Sequence, residues 1–164
     1  MVTSVSKNPS WSKIIKTKET ILFLIIASII ASLDQSTKFF IELLKPNIQI
    51  GFINITYSTN TGAGFGILQN SSFILGIISA IAAIAVIYHY PKLPQTKIYS
   101  LLTGLFLGGI IGNGIDRLTK EYVVDFLATS FWPSFNVADS AITIAAVGFI
   151  LLVIQEEITI KKKS

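Results

Sequence analysis

The sequence predicts a mainly α membrane protein: four transmembrane helices with a small β-structured segment at the surface between the first two. Three observations predict it. Of the 164 residues, 51% are hydrophobic and 13% are charged, the latter about half the usual share. Most of the 13 Lys and Arg lie in the N-terminal tail, around Lys92 and Lys97, and in the run 161–163. The stretches between these places are long, apolar and almost free of charge, which is the pattern of membrane spans rather than of a soluble core.

The first apolar run covers 21–33 and follows lysines, as the core of a signal peptide would. It lacks the small-residue cleavage pattern, since Ala31-Ser32 is followed by Leu33, and the helical pattern continues through Phe39 and Leu44 to Pro46. One long, uncleaved helix is therefore expected, with Asp34, Lys38 and Glu42 at its outer end. Further spans are expected at 73–90, ending at Pro91 and Pro94, at 98–116, and at 136–154. Each approaches the length that a hydrocarbon core of about 30 Å requires. Four spans place both termini on one side. The lysine-rich tails and the Lys92/Lys97 loop share that side, which the positive-inside rule makes cytoplasmic. Segments 45–70 and 117–135 then face outward. In the first of these, Ile48, Ile50, Phe52, Ile53, Ile55 and Tyr57 roughly alternate with smaller or polar residues, which suggests a hairpin or a pair of strands. Open strand edges are not tolerated in lipid, so this unit belongs at the membrane surface. The expected organisation is a polar tail over 1–19, a four-helix unit over 20–157 and a basic tail over 158–164.

Composition also narrows the chemistry. The chain has no cysteine and a single histidine, His89, which argues against thiolate catalysis, a histidine-based triad or a multi-histidine metal centre. The net charge of +4 comes from cations flanking apolar helices. It points to topology and anionic headgroups rather than to nucleic acid. No cofactor or metal requirement is visible.

The aspartates carry the functional signal. An ionisable residue within a span costs on the order of 3 kcal/mol and is by default a functional candidate. All four aspartates, Asp34, Asp116, Asp125 and Asp139, fall on the outer side of the expected topology. Asp34 and Lys38 stand one turn apart and suit an ion pair. Gly104, Gly108 and Gly112, spaced by four, let helix backbones approach closely. They lead to Asn113, Asp116 and Arg117, where an Asp–Arg pair holding the helix end competes with a catalytic role. Asp125, between Val124 and Phe126, is either desolvated, with a raised pKa, or exposed in a surface turn. Asn136, Asp139 and Thr143 share one face at the start of the fourth helix, where an Asp also suits the helix dipole. Two aspartates in one low-dielectric niche would hold a single proton between them, providing an acid and a base that activate water without nucleophile or metal. Asn60, Asn113, Asn136 and Arg117 are suited to holding a peptide backbone. A transporter or proton channel would instead spread its acids across membrane depth and show repeats. A purely structural subunit would tolerate alanine at Asp125 and Asp139.

Five blocks resemble the lipoprotein signal peptidase family, also called signal peptidase II. They are Asp34-Gln35-Ser36-Thr37-Lys38, Asn60-Thr61-Gly62-Ala63-Gly64-Phe65-Gly66, Gly108 through Arg117, Val123-Val124-Asp125-Phe126, and Phe135-Asn136-Val137-Ala138-Asp139-Ser140. The resemblance covers nearly the whole chain after residue 20. It implies an intramembrane aspartic endopeptidase of the bacterial inner membrane, with Asp125 and Asp139 as the catalytic dyad. It further implies substrate contacts from Asn60, Asn113, Arg117 and Asn136. Asp34, Lys38, Asp116, Gly62 and Ala138 become supporting residues, with Asp116 paired to Arg117. The implied partner is a prolipoprotein whose lipobox cysteine bears a diacylglyceryl group, cut just before that cysteine, by a monomer in contact with membrane lipid. The expected surface hairpin would correspond to the family's β-cradle. Where the family usually has two alanines before the Phe, this chain has Ala63-Gly64, so that loop departs from the pattern. The flap-like segment between Asp125 and Asp139, which contains Trp132 and Pro133, is expected to be short.

Overall fold

In the computed structural model, residues 17–63 and 67–163 are described; most of the expected N-terminal tail and the Gly64 departure lie outside them. Among the described residues the elements run α1 (Lys18–Leu44), β1 (Asn47–Ile50), β2 (Ile53–Asn60), α2 (Ser72–His89), a 3-10 turn (Tyr90–Lys92), α3 (Lys97–Thr119), β3 (Val123–Thr129) and α4 (Val137–Lys163). Four helices are long and apolar enough to cross a membrane.

Local chemistry sets most helix ends. Thr17 caps α1 by accepting from Thr20 N at 3.1 Å. Lys45 closes the helix in the left-handed conformation, its N–H donating to Ile41 O at 2.9 Å, and Pro46 prevents continuation. α2 instead passes through a right-handed Tyr90 into the 3-10 turn, where Pro91 has no N–H to continue the α-helix. α4 runs past the expected end at 154 and through most of the expected basic tail. Glu156, Glu157 and Lys161 stop the apolar span, but they are good helix formers and no Gly or Pro interrupts them.

α3 is the central helix and packs against the other three. Its apolar stretch is 61% buried, against 22%, 11% and 17% for α1, α2 and α4. Its glycines make this possible. A Cβ at Gly108 would lie 2.7 Å from Ala27 O of α1, and one at Gly109 would lie 2.5 Å from Ala138 O of α4. With no hydrophobic force between helices in lipid, such backbone approach is what holds them together. At the end away from the sheet, Phe23 stacks on Tyr90 with ring centroids 4.1 Å apart. The outward faces of α1, α2 and α4 are lined by exposed Ile, Leu, Val and Phe.

The three strands form one antiparallel sheet in the order β1-β2-β3. β1 and β2 form the expected hairpin, turning at Gly51 (φ 61°) and Phe52. The third strand arises between α3 and α4, where a turn had been one reading. β2 carries a bulge between Ile55 and Ser58: Ile55 faces Leu127 and Ser58 faces Asp125, three steps on one strand against two on the other. The bulge switches parity. Ile53 and Ile55 lie on the sheet face that, beyond the bulge, is occupied by Ser58 and Asn60, while Asn54 and Thr59 are exposed. This puts Asn60 on the same face as Asp125.

Candidate active site

All four aspartates stand at the sheet end of the bundle, in two groups. The first is a closed charge cluster. Asp34 and Lys38 of α1 and Asp116 of α3 are each 0% exposed. Lys38 Nζ lies 2.6 Å from Asp34 Oδ2 and 3.0 Å from Asp116 Oδ2, and it donates to Asn113 Oδ1 at 2.9 Å. Asp34 Oδ1 accepts from Ala138 N at 2.9 Å, so a carboxylate of α1 caps the positive end of α4. Gly112 is required here, because a Cβ would fall 2.5 Å from Asp34 Oδ2. Gln35 Nε2 donates to Gly112 O at 3.0 Å and to Asp116 Oδ1 at 3.2 Å. The expected pairing of Asp116 with Arg117 does not form. Successive helix residues diverge by about 100°, and Asp116 turns inward to Lys38 while Arg117 turns toward the sheet.

The second group is built around Asn136, which is fully buried where the chain enters α4. Asn136 Oδ1 accepts from Asp139 N at 2.9 Å, and Asp139 Oδ2 accepts from Asn136 N at 3.2 Å. This reciprocal cap fixes the Asp139 side chain. Asn136 Nδ2 donates to Asp125 Oδ1 at 2.7 Å, to Asn113 Oδ1 at 3.2 Å and to Val124 O at 3.3 Å. Asn113 Oδ1 is thus filled by Lys38 and Asn136, which leaves its Nδ2 to donate to Asp139 Oδ1 at 2.8 Å. Asp125, 2% exposed on β3, also accepts from Asn60 Nδ2 at 3.2 Å. Ser58 Oγ donates to Asp125 O at 2.9 Å and clamps the strand below the carboxyl.

Electrostatics separates the two groups. The ion pairs shorter than 4.0 Å among the described residues join Lys38 and Lys120 to Asp34, Asp116 and Glu42, and none includes Asp125 or Asp139. Burial first, and the Asp139 charge second, push the Asp125 carboxyl up to about 6 against hydrogen bonds from Asn60 and Asn136.

Asn60, Arg117, Asp125, Asp139 and Thr143 share a cleft of about 200 Å³, walled by Trp132 and Phe135. Beside it runs an apolar groove of about 440 Å³, which Phe52, Phe131 and Ile144 line together with Trp132, Phe135 and Asp139. The segment between the two acids is held back against β3. Phe135 returns to pair with Leu127, and Thr129 Oγ1 accepts from Trp132 N at 3.1 Å. Arg117 reaches Gly62 O at 3.4 Å, and its Nε is buried with no hydrogen-bond partner among the described residues. Gly62 N donates to Asn60 Oδ1 at 2.9 Å, and a Cβ on Gly62 would meet Ile67 O at 2.5 Å. Among the described residues no group of three His, Cys, Asp or Glu is placed to hold a metal ion. Sequence reasoning missed Ser58, because no local pattern marks a bulge. It also missed Lys120 and Tyr122, both of which touch Glu42.

The family model described as peptidase A8, signal peptidase (SPase) II, matches residues 25–155. The lipoprotein signal peptidase of Caldanaerobacter subterraneus subsp. tengcongensis is 38% identical over 139 residues, 79% of this chain and 94% of that protein. That of Halothermothrix orenii is 37% identical over 138 residues, 81% of this chain and 95% of that protein. Among solved structures, a bacterial membrane enzyme determined by the in meso method at 2.3 Å resolution superposes with a TM-score of 0.77 at 31% identity. The superposition covers 82% of this chain and 88% of that one. The buried carboxylates at the sheet end of a four-helix bundle agree with these likenesses: the chain belongs to the signal peptidase II family of aspartic peptidases, the lipoprotein signal peptidases.

Proposed function

We propose that Asp125 and Asp139 are the catalytic dyad, and that the chain hydrolyses the bond preceding the diacylglyceryl-modified cysteine of a prolipoprotein. One observation carries the assignment. A single buried residue, Asn136, holds both carboxyls at one cleft, that of Asp125 through its side-chain amide and that of Asp139 through its backbone N–H, and among the described residues no cation lies within 4.0 Å of either. Burial and the Asp139 charge favour the protonated form of Asp125, so the pair can supply an acid and a base together. The ionised member takes a proton from water as its oxygen attacks the scissile carbonyl carbon. The protonated member gives its proton to the leaving nitrogen as the C–N bond breaks. Asn60 and Arg117, on the cleft wall, bind the substrate backbone. Asn113 and Asn136, 3% and 0% exposed, act through the carboxyls they hold. The apolar groove beside the cleft suits the lipid-embedded part of the substrate, reached laterally from the membrane, and the sheet receives its polar flank. Both termini lie in the cytoplasm and the site at the extracytoplasmic face, a reading supported by the lysines of the two tails and of the Lys92/Lys97 loop. Asp125→Asn and Asp139→Asn should each reduce processing of a lipidated prolipoprotein in detergent by on the order of 10³-fold while remaining folded. Full activity of both variants would refute the assignment.

A further inference from the structure

The closed charge cluster does not balance. Asp34 and Asp116 are fully buried carboxylates that share one ammonium, Lys38. A second ammonium stands at the rim, with a third carboxylate beside it. Lys120 Nζ, one turn beyond Asp116 on the same helical face, lies 3.7 Å from Asp116 Oδ1 and 2.8 Å from Glu42 Oε2. Glu42 Oε1 also accepts from Tyr122 Oη at 2.5 Å. The outer end of α1 therefore grips both sides of Glu121, whose φ of 63° turns the chain from α3 into β3. Tyr122 precedes Val123-Val124-Asp125, the strand segment that carries one of the two acids. The hydrogen bond to Glu42, more than burial, holds the Tyr122 phenol protonated beyond its ordinary range. Inward from Asp116 the contacts continue without a gap: Lys38 Nζ at 3.0 Å, then Asn113, then Asp139 Oδ1.

We propose that Glu42 and Lys120 are positioning residues for the peptidase site, a rim pair of opposite charge that sets the electrostatic balance of the Asp116–Lys38–Asn113 chain on which Asp139 rests. The inference depends on the dyad assignment above, and neither rim residue touches the cleft. The groups facing this chain are known from every element around it. They are Asp34, Lys38, Glu42 and Lys45 on α1, Tyr57 on β2, and Arg117 at the end of α3. Tyr122 and Asp125 approach from the β3 side, and Asp139 from α4.

The two rim charges have opposite signs, and this makes the idea testable. Removing the cation leaves the chain more negative, so the dyad holds its proton more tightly. Removing the anion does the reverse. In purified full-length enzyme, the kcat–pH profile of Lys120→Gln should move to higher pH by about half a unit, and that of Glu42→Gln to lower pH by a similar amount. Lys120→Arg should return the profile to that of the parent. A merely structural latch would lower thermal stability in both variants without displacing the profiles in opposite directions. Profiles that superimpose on the parent, or that move the same way, would overturn the proposal. If Lys120→Gln does not fold, Glu42→Gln alone decides: a downward displacement supports the proposal and an unmoved profile rejects it. Failure of the dyad assignment would look different, as retained activity in Asp125→Asn and Asp139→Asn.

Discussion

The sheet end of the bundle holds two pairs of aspartates, and they differ in what fills the space between them. Between Asp34 and Asp116 sits an ammonium, Lys38, within 3.0 Å of both. Around Asp125 and Asp139 sit amides, from Asn60, Asn113 and Asn136, and among the described residues no cation lies within 4.0 Å of either. An ammonium inside a buried pair offsets the cost of desolvating the charges and makes removal of any one member expensive. Amides orient carboxyls without neutralising them, and burial together with the Asp139 charge pushes the Asp125 carboxyl up to about 6. On the proposed dyad assignment, the same residue type is structural in one pair and chemically poised in the other. Asn113 joins the two regions, accepting from Lys38 and donating to Asp139.

The comparison breaks most visibly if the two pairs are exchanged in effect. Variants of the dyad should be inactive and folded, whereas Lys38→Met should be poorly folded whatever its activity. Removing that ammonium leaves Asp34 and Asp116 buried without their counter-ion, which costs about 3 to 5 kcal/mol. Thermal unfolding in detergent measures this. A Lys38→Met enzyme with parental stability would remove the structural reading of the first pair. A smaller effect is expected at Gly112→Ala, where the added methyl falls 2.5 Å from Asp34 Oδ2 and is opposed by a side chain locked in an ion pair. Such overpacking costs about 1 to 3 kcal/mol. It should lower stability more than Gly51→Ala at the open hairpin turn, where a Cβ has no neighbour within 4 Å and the only cost is the φ of 61°. Equal losses at the two glycines would contradict the close fit of α1 on α3.

Much of this was legible in the sequence. Charge segregation marked four helices, and the alternation from Ile48 to Tyr57 marked the hairpin. The i, i+4 spacing of Asp34 and Lys38 marked their pair. What was not legible required knowing how helices face one another. Asp116 was expected beside Arg117, its neighbour in sequence, but helical geometry sends the two apart and gives Asp116 to Lys38 of another helix. The third strand was hidden because Val123 to Phe126 is too short and too apolar to show a period. The bulge that brings Asn60 to Asp125 depends on strand register, which a single strand does not reveal. The end of α4 is hidden because a change from apolar to charged residues ends a membrane span and leaves helix propensity intact.

The central claim is that the buried Asp125 carboxyl, beside Asp139 and hydrogen-bonded by amides, keeps its proton up to about pH 6, whereas an ammonium, Lys38, stands between Asp34 and Asp116. Infrared difference spectra between the parent enzyme and single Asp→Asn variants, recorded across pH, test it most directly. A protonated carboxyl band should be present below about pH 6, the value to which burial and Asp139 push Asp125, and should fade as the pH rises through it. Asp125→Asn and Asp139→Asn should each remove that band, and Asp116→Asn should leave it in place. A parent enzyme in which both dyad carboxyls are already ionised at pH 5 would contradict the account, as would a band that disappears only with Asp116.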